Sequence, residues 1–179
     1  MNIPNFLTLL RILLVPVVVI FLMQGAFLKA LIVLVISGLT DALDGFLARI
    51  LNQQTVLGSY LDPIADKALL AGCFVTMSIK SIIPGWFTVI VISRDLIILI
   101  GIAILSIMSI PYEIRPSFIG KITTTLQLLM IFFSLVFRIL PGSIDYMWLM
   151  VLLWITILFT VLSGLNYMFR GIKLNSKPT

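Results

Sequence analysis

The stretch Asp41-Ala42-Leu43-Asp44-Gly45-Phe46-Leu47-Ala48-Arg49, followed after eight residues by Gly58-Ser59-Tyr60-Leu61-Asp62-Pro63-Ile64-Ala65-Asp66, decides how the rest of the chain is read. Four of the seven acidic residues fall within these 26 positions, inside sequence that is otherwise apolar. An aspartate at the centre of a membrane-spanning helix costs about 2.5–3.5 kcal/mol on insertion scales, so four together demand compensation. Asp41 and Asp44 stand three residues apart and Asp62 and Asp66 four apart, which on helices puts each pair on one face. Two antiparallel helices joined by a short turn bring those faces together, so the spacing predicts four carboxylates converging on one pocket.

Converging carboxylates repel, and the usual resolutions are proton uptake or a bound hard cation with oxygen ligands. Magnesium, manganese or calcium suit such a set, whereas zinc and copper favour nitrogen or sulfur. The chain contains no histidine, so any general base is a carboxylate, lysine or tyrosine. The plain structural alternative pairs the aspartates individually with Arg49, Lys67 and polar backbone. The competing functional class is a cation-coupled transporter with the aspartates as its ion site. Gly45, Ala48 and Gly58 leave the helix surface beside the carboxylates bare, which lets a flat group or a phosphate chain approach the backbone; small residues also serve helix packing in membranes.

Working outward, the 179 residues are 61% hydrophobic and 11% charged, with a mean hydropathy of +1.22. Soluble domains are roughly 45–50% apolar and roughly 25% charged, so the composition predicts a polytopic membrane protein and a single helical domain over 1–179. The net charge of +5 reflects few acids as much as many bases. That balance favours anionic lipid headgroups as neighbours and gives no support to a nucleic-acid partner. One cysteine, Cys73, excludes an intrachain disulfide.

A bilayer crossing needs about 20 residues, and six apolar segments can be drawn, at 9–24, 28–50, 56–79, 84–107, 117–138 and 146–169. Gln24-Gly25, Asn52-Gln53-Gln54, Ile83-Pro84-Gly85, Pro111 to Pro116 and Pro141-Gly142 punctuate them. Before the first, residues 1–11 read as a short interfacial amphipathic helix, because Asn5, Thr8 and Arg11 recur every three residues. The apolar run 12–23 lacks a basic start and a small-residue cleavage site, and so reads as a retained helix. The fold expectation is therefore all-α and integral to the membrane, six transmembrane helices with that short leading helix. Six crossings put both termini on one side. With that side cytoplasmic, Arg11, Arg49, Arg115, Arg170, Lys173 and Lys177 lie there against Lys29, Lys80 and Arg138 opposite, which satisfies the positive-inside tendency. The acidic cluster then opens toward the cytoplasm, and residues 173–179 form a surface tail.

The pattern Asp41-x2-Asp44-Gly45-x2-Ala48-Arg49-x8-Gly58-x3-Asp62-x3-Asp66 resembles, at all eight fixed positions, the signature of the CDP-alcohol phosphotransferase (CDP-alcohol phosphatidyltransferase) family. The resemblance implies a six-helix membrane enzyme, usually a homodimer, in the bacterial cell membrane with its pocket facing the cytoplasm. It implies that Asp41, Asp44 and Asp62 hold two divalent cations, Mg2+ or Mn2+, with Asp66 a further ligand and the general base. Asp41, Gly45, Ala48, Arg49 and Gly58 would form the site for the CDP moiety of CDP-diacylglycerol, whose phosphatidyl group is transferred to an alcohol with release of CMP.

A second basic set, Arg94, Arg115 and Lys121, is the candidate site for a phosphate on the acceptor, since arginine binds phosphate in a bidentate fashion. The alternative for Arg94 is a simple ion pair with an adjacent or facing acid. A phosphate-bearing acceptor favours glycerol 3-phosphate or phosphatidylglycerol over serine. Asn2-Ile3-Pro4-Asn5-x2-Thr8-x2-Arg11 resembles the members of the family that make phosphatidylglycerophosphate, the leading expectation. Ile92-Ser93-Arg94-Asp95, with Arg115-Pro116-Ser117 and Lys121-Ile122-Thr123, resembles the members that make cardiolipin.

Overall fold

The computed structural model describes the backbone of residues 3–50, 56–107, 118–142 and 145–175, and the side chains of 9–40, 64–101, 118–142 and 145–168. Among the described residues the only regular structure is α-helix: α1 (Ile3–Met23), α2 (Phe27–Ile50), α3 (Val56–Ile79), α4 (Gly85–Ile107), α5 (Phe118–Ile139) and α6 (Tyr146–Asn175). Of the described residues, two stretches are long and apolar enough to cross a bilayer, Phe118–Ile139 and Tyr146–Met168. Leu9–Met23 and Phe27–Thr40 are shorter apolar helical stretches.

Where the expected turns are described, their residues do the expected work. Gly25 ends α1 at φ +74°, and the bonds Gly25 N–H to Leu22 O (3.1 Å) and Ala26 N–H to Phe21 O (2.9 Å) close the last turn. That pair of hydrogen bonds is a Schellman cap, which needs a left-handed residue and so favours glycine. The same pair of bonds closes α3 around Ser81, at φ 54° without being glycine, from Ser81 N–H to Ser78 O and Ile82 N–H to Met77 O. Pro84 then opens α4, its carbonyl accepting from Phe87 N–H at 3.2 Å. Two boundaries differ from expectation. The leading segment is not a separate helix: α1 runs unbroken from Ile3 through Pro16 to Met23. At the other end α6 continues past Lys173 to Asn175.

The chain divides into two compact units, Met1–Ile83 with Ser134–Ser143, and Pro84–Phe133 with Ile144–Thr179. In the first, α1 packs against both α2 and α3, the helices that carry the acidic motif. Its core is a set of helical stripes: Val18 and Leu22 on α1, Ala30 and Leu34 on α2, and Ala65, Leu69, Cys73 and Met77 on α3, all buried. The α3 residues recur every four positions, the spacing of one helix face. Gly72 lets α1 come close, for a Cβ there would lie 3.2 Å from Val19 Cγ2 and 3.4 Å from Val15 Cγ1.

In the second unit α4 packs against α6, and α5 reaches α6 through Thr123, whose hydroxyl donates to Phe159 O at 3.0 Å. Here the polarity of a water-soluble fold is inverted. Arg94, Thr123, Gln127, Thr156, Thr160 and Ser163 are buried, while Trp148, Trp154, Leu158, Val161, Leu162 and Leu165 are exposed. Two of the buried hydroxyls bond within their own helix, Thr156 to Leu152 O at 2.7 Å and Thr160 to Thr156 O at 2.6 Å. Small hydroxyl residues inside and large apolar ones outside are the arrangement of helices packed in lipid.

Candidate functional site

The acidic motif lies on two helices that share α1 as a neighbour. Asp41, Asp44, Gly45, Ala48 and Arg49 belong to α2, and Gly58, Asp62 and Asp66 to α3. Of these eight, the side chains of the first seven lie outside the described residues, as does Arg115 altogether. Asp66, Arg94 and Lys121 can be followed in full.

Asp66 meets a partner absent from the expected set. Arg11 Nη1 of α1 donates to Asp66 Oδ1 at 2.7 Å. The two ends of this ion pair sit differently: the arginine side chain is 1% exposed and the aspartate side chain 43%. Arg11 occupies the same buried stripe of α1 as Val18 and Leu22, at spacings of seven and four, where packing alone would select an aliphatic residue. The sequence pattern places Arg11 on an interfacial segment; the structure turns it inward because α1 is continuous and the spacing carries its core stripe back to position 11.

Arg94 lies in the second unit, buried between α4 and α6. Nη1 donates to Asp95 Oδ1 at 2.6 Å and Nη2 to Ser163 Oγ at 2.5 Å. The guanidinium carbon stands 5.9 Å from the centre of the Tyr167 ring, and its stem passes Gly164, where an added Cβ would stand 3.6 Å from Arg94 Cγ. Nε is buried with no partner among the described residues. The ion pair with an adjacent acid is therefore present. Lys121, on α5 in the same unit, is exposed. Ser163 and Tyr167 were missed from sequence, although a serine and a tyrosine four apart in an apolar helix are the signal that finds them.

A cavity of about 350 Å³ lined by Gly25, Ala26, Phe27, Leu28, Lys29 and Ile139 lies at the turn between α1 and α2. It carries no acid and lies beyond the C-terminal end of α1, whereas Arg11 is near the middle of that helix.

Residues 1–162 match the family described as CDP-alcohol phosphatidyltransferase. The chain belongs to that family. The family uses a CDP-alcohol donor and an alcohol acceptor and is generally divalent-cation dependent. Among its relatives, the cardiolipin synthase (CMP-forming) of Rattus norvegicus is 33% identical over 96% of this chain and 62% of that protein. A probable phosphatidylglycerophosphate synthase of Mycobacterium tuberculosis is 32% identical over 96% of this chain and 82% of its own length. The CDP-diacylglycerol--glycerol-3-phosphate 3-phosphatidyltransferase of Aquifex aeolicus is 30% identical over 97% and 98%. The chain spans 62% of the length of the rat and human cardiolipin synthases it matches.

Proposed function

We propose that this CDP-alcohol phosphatidyltransferase moves the phosphatidyl group of CDP-diacylglycerol onto the hydroxyl of glycerol 3-phosphate and releases CMP, a step of phospholipid synthesis. The observation that carries this reading is the complete eight-position motif on α2 and α3, in a chain aligned end to end with an enzyme named for that transfer. The other acceptor, phosphatidylglycerol, is favoured by Ser93-Arg94-Asp95 and by the cardiolipin synthase relatives.

The site is a single membrane domain over the chain, with six crossings, in the cell membrane of a bacterium and with its pocket toward the cytoplasm. The inverted polarity of the second unit supports a lipid surround. Helix directions support alternating crossings. Contacts of α1 with α3 keep a nearly constant offset, Arg11 to Asp66 and Val15 to Gly72, and so do those of α4 with α6, Trp86 to Trp154 and Arg94 to Ser163. Constant offset means parallel helices, and alternate crossings are parallel. A second copy of the chain completes a homodimer.

The donor set fits hard cations, since all of it is carboxylate oxygen and positions 41 and 44 continue the spacing of the buried Ala30, Leu34 and Ser37 along α2. Asp41, Asp44 and Asp62, with Asp66 as a further ligand, would hold two Mg2+ or Mn2+ ions. Bound there, such ions would supply positive charge to the donor diphosphate and to the departing CMP. Asp41, Gly45, Ala48, Arg49 and Gly58 receive the CDP moiety, the small residues allowing close approach to backbone. Arg94, Arg115 and Lys121 receive the phosphate of the acceptor. Asp66, whose side chain is 43% exposed, takes the proton of the acceptor hydroxyl as that oxygen bonds to the phosphatidyl phosphorus and the phosphorus–oxygen bond to CMP breaks.

The test uses purified protein, CDP-diacylglycerol and magnesium or manganese, with glycerol 3-phosphate and phosphatidylglycerol in parallel. CMP release that depends on glycerol 3-phosphate is expected. Release with phosphatidylglycerol alone moves the acceptor to the second reading, and cation flux in vesicles with no CMP formed would move the chain to the transporter class.

A further inference from the structure

We propose that Arg11 is a positioning residue for Asp66: a buried guanidinium that fixes the carboxylate from behind, so that its open side meets the acceptor hydroxyl. The proposal rests on the reading of Asp66 as proton acceptor and adds to it a residue outside the eight-position motif.

Three observations carry it. First, the contact is short and direct, Arg11 Nη1 to Asp66 Oδ1 at 2.7 Å, across 55 residues of chain. Second, the pair is asymmetric. Arg11 is 1% exposed and Asp66 43%, so the cation reaches the carboxylate from the packed side and the remaining surface of the aspartate faces outward. An ion pair serving packing alone has no need to leave one member open. Third, the support of Arg11 is rigid. Its stripe continues through Val18 and Leu22 into the core, and one turn beyond it Val15 and Val19 close on Gly72 of the helix that carries Asp66. The two helices thus also meet closely at Gly72, through the side chains of Val15 and Val19, apart from the ion pair.

The chemistry requires such a device. A carboxylate on a helix has two torsions to fix, and the proposed site gathers the other carboxylates of the motif near it. A matched positive charge on one oxygen holds the group against that repulsion and selects one orientation, which proton transfer in the reacting complex needs within a fraction of an ångström. The transferred proton goes to the carboxylate of Asp66 and not to Arg11, which stays protonated throughout.

The experiment compares wild type, Arg11→Gln, Arg11→Lys and Asp66→Asn in full-length purified protein, reading kcat, KM for donor and acceptor, and the midpoint of thermal unfolding. Arg11→Gln keeps a stem and an N–H donor but loses the charge. Its kcat is expected to fall by on the order of 10²-fold with both KM values within about threefold of wild type. Arg11→Lys, which restores the charge with a different head, is expected to recover about tenfold of that loss. A kcat of Arg11→Gln within about threefold of wild type overturns the proposal. So do equal losses in both Arg11 variants that come with raised KM and a lowered midpoint, since those assign Arg11 to folding alone. Should Arg11→Gln fail to fold, Arg11→Lys decides by the same split between kcat and KM. Asp66→Asn separates this proposal from the one beneath it. If Asp66→Asn turns over normally the proton-acceptor reading itself fails; if it is inactive and the Arg11 variants are near wild type, only the role of Arg11 fails.

Discussion

Arg11 and Arg94 are the two buried arginines of the described chain, and each is solved by different means. Arg11 has a carboxylate from another helix; Arg94 has the carboxylate next to it in sequence, a hydroxyl from α6 and the face of Tyr167. A hydrogen bond to a charged group contributes about 1.5–3 kcal/mol, so Ser163→Ala is expected to lower stability by about that amount, measured as a drop in the thermal midpoint in detergent. Asp66→Asn is expected to abolish transfer while leaving metal-dependent donor binding largely intact, checked by equilibrium binding of the CDP-linked donor. Near-normal turnover in that variant removes Asp66 from the chemistry. At this scale the sequence was informative about which residues are unusual and offered the adjacent acid, Asp95, as a partner for Arg94, but it did not point to Asp66 as the partner of Arg11. The spacing rule that pairs Asp62 with Asp66 acts within one helix, whereas the bond from Arg11 crosses two elements and 55 residues, which no local pattern encodes.

The helices themselves were largely legible. Apolar runs broken by Gln24-Gly25, Ile83-Pro84-Gly85 and Pro141-Gly142 predict boundaries within a residue or two of those of α2 to α5, because glycine and proline act on the backbone directly. The start of α1 and the end of α6 were not, since polar residues at a helix end read equally well as a helix turn or as a surface segment. What joins the helices rests on subtler chemistry. Gly72 has Val15 and Val19 within van der Waals range of where a Cβ would stand, so Gly72→Leu must push α1 off α3. Overpacking of this kind costs typically about 1–3 kcal/mol. The expected outcome is a lower thermal midpoint together with a loss of CMP release larger than the stability change explains, because Arg11 moves with α1. Wild-type activity in Gly72→Leu would show that the α1–α3 spacing does not matter to the site.

For the whole molecule, the inward polarity and outward apolarity of the second unit set the solvent that the fold needs. In water the exposed Trp148, Trp154, Leu158 and Leu165 would form a sticky surface; in lipid they are the ordinary exterior. Trp86 and Trp154, with ring centres 5.8 Å apart, and the exposed Tyr146 and Trp148 gather near the starts of α4 and α6, where aromatic residues favour the boundary between lipid and headgroups. A chelator such as EDTA is expected to stop CMP release, and added Mg2+ or Mn2+ to restore it. Persistence of turnover in excess EDTA would sink the carboxylate metal site. The acceptor was the least legible property, because the residues proposed to select it, Arg94, Arg115 and Lys121, come from segments far apart in sequence. The family, by contrast, is legible in the single stretch 41–66, whose spacing is local.

The burial of Cys73 makes the native chain its own blank for thiol labelling. A membrane-impermeant maleimide has no exposed thiol to find, so every label reports a cysteine placed by design. Lys80→Cys, at the exposed turn after α3, and Gln53→Cys, between α2 and α3, are expected to label from opposite faces of sealed vesicles. One lone sulfur packed in the core of α3 thus turns the question of which face the acidic motif opens toward into a two-lane gel.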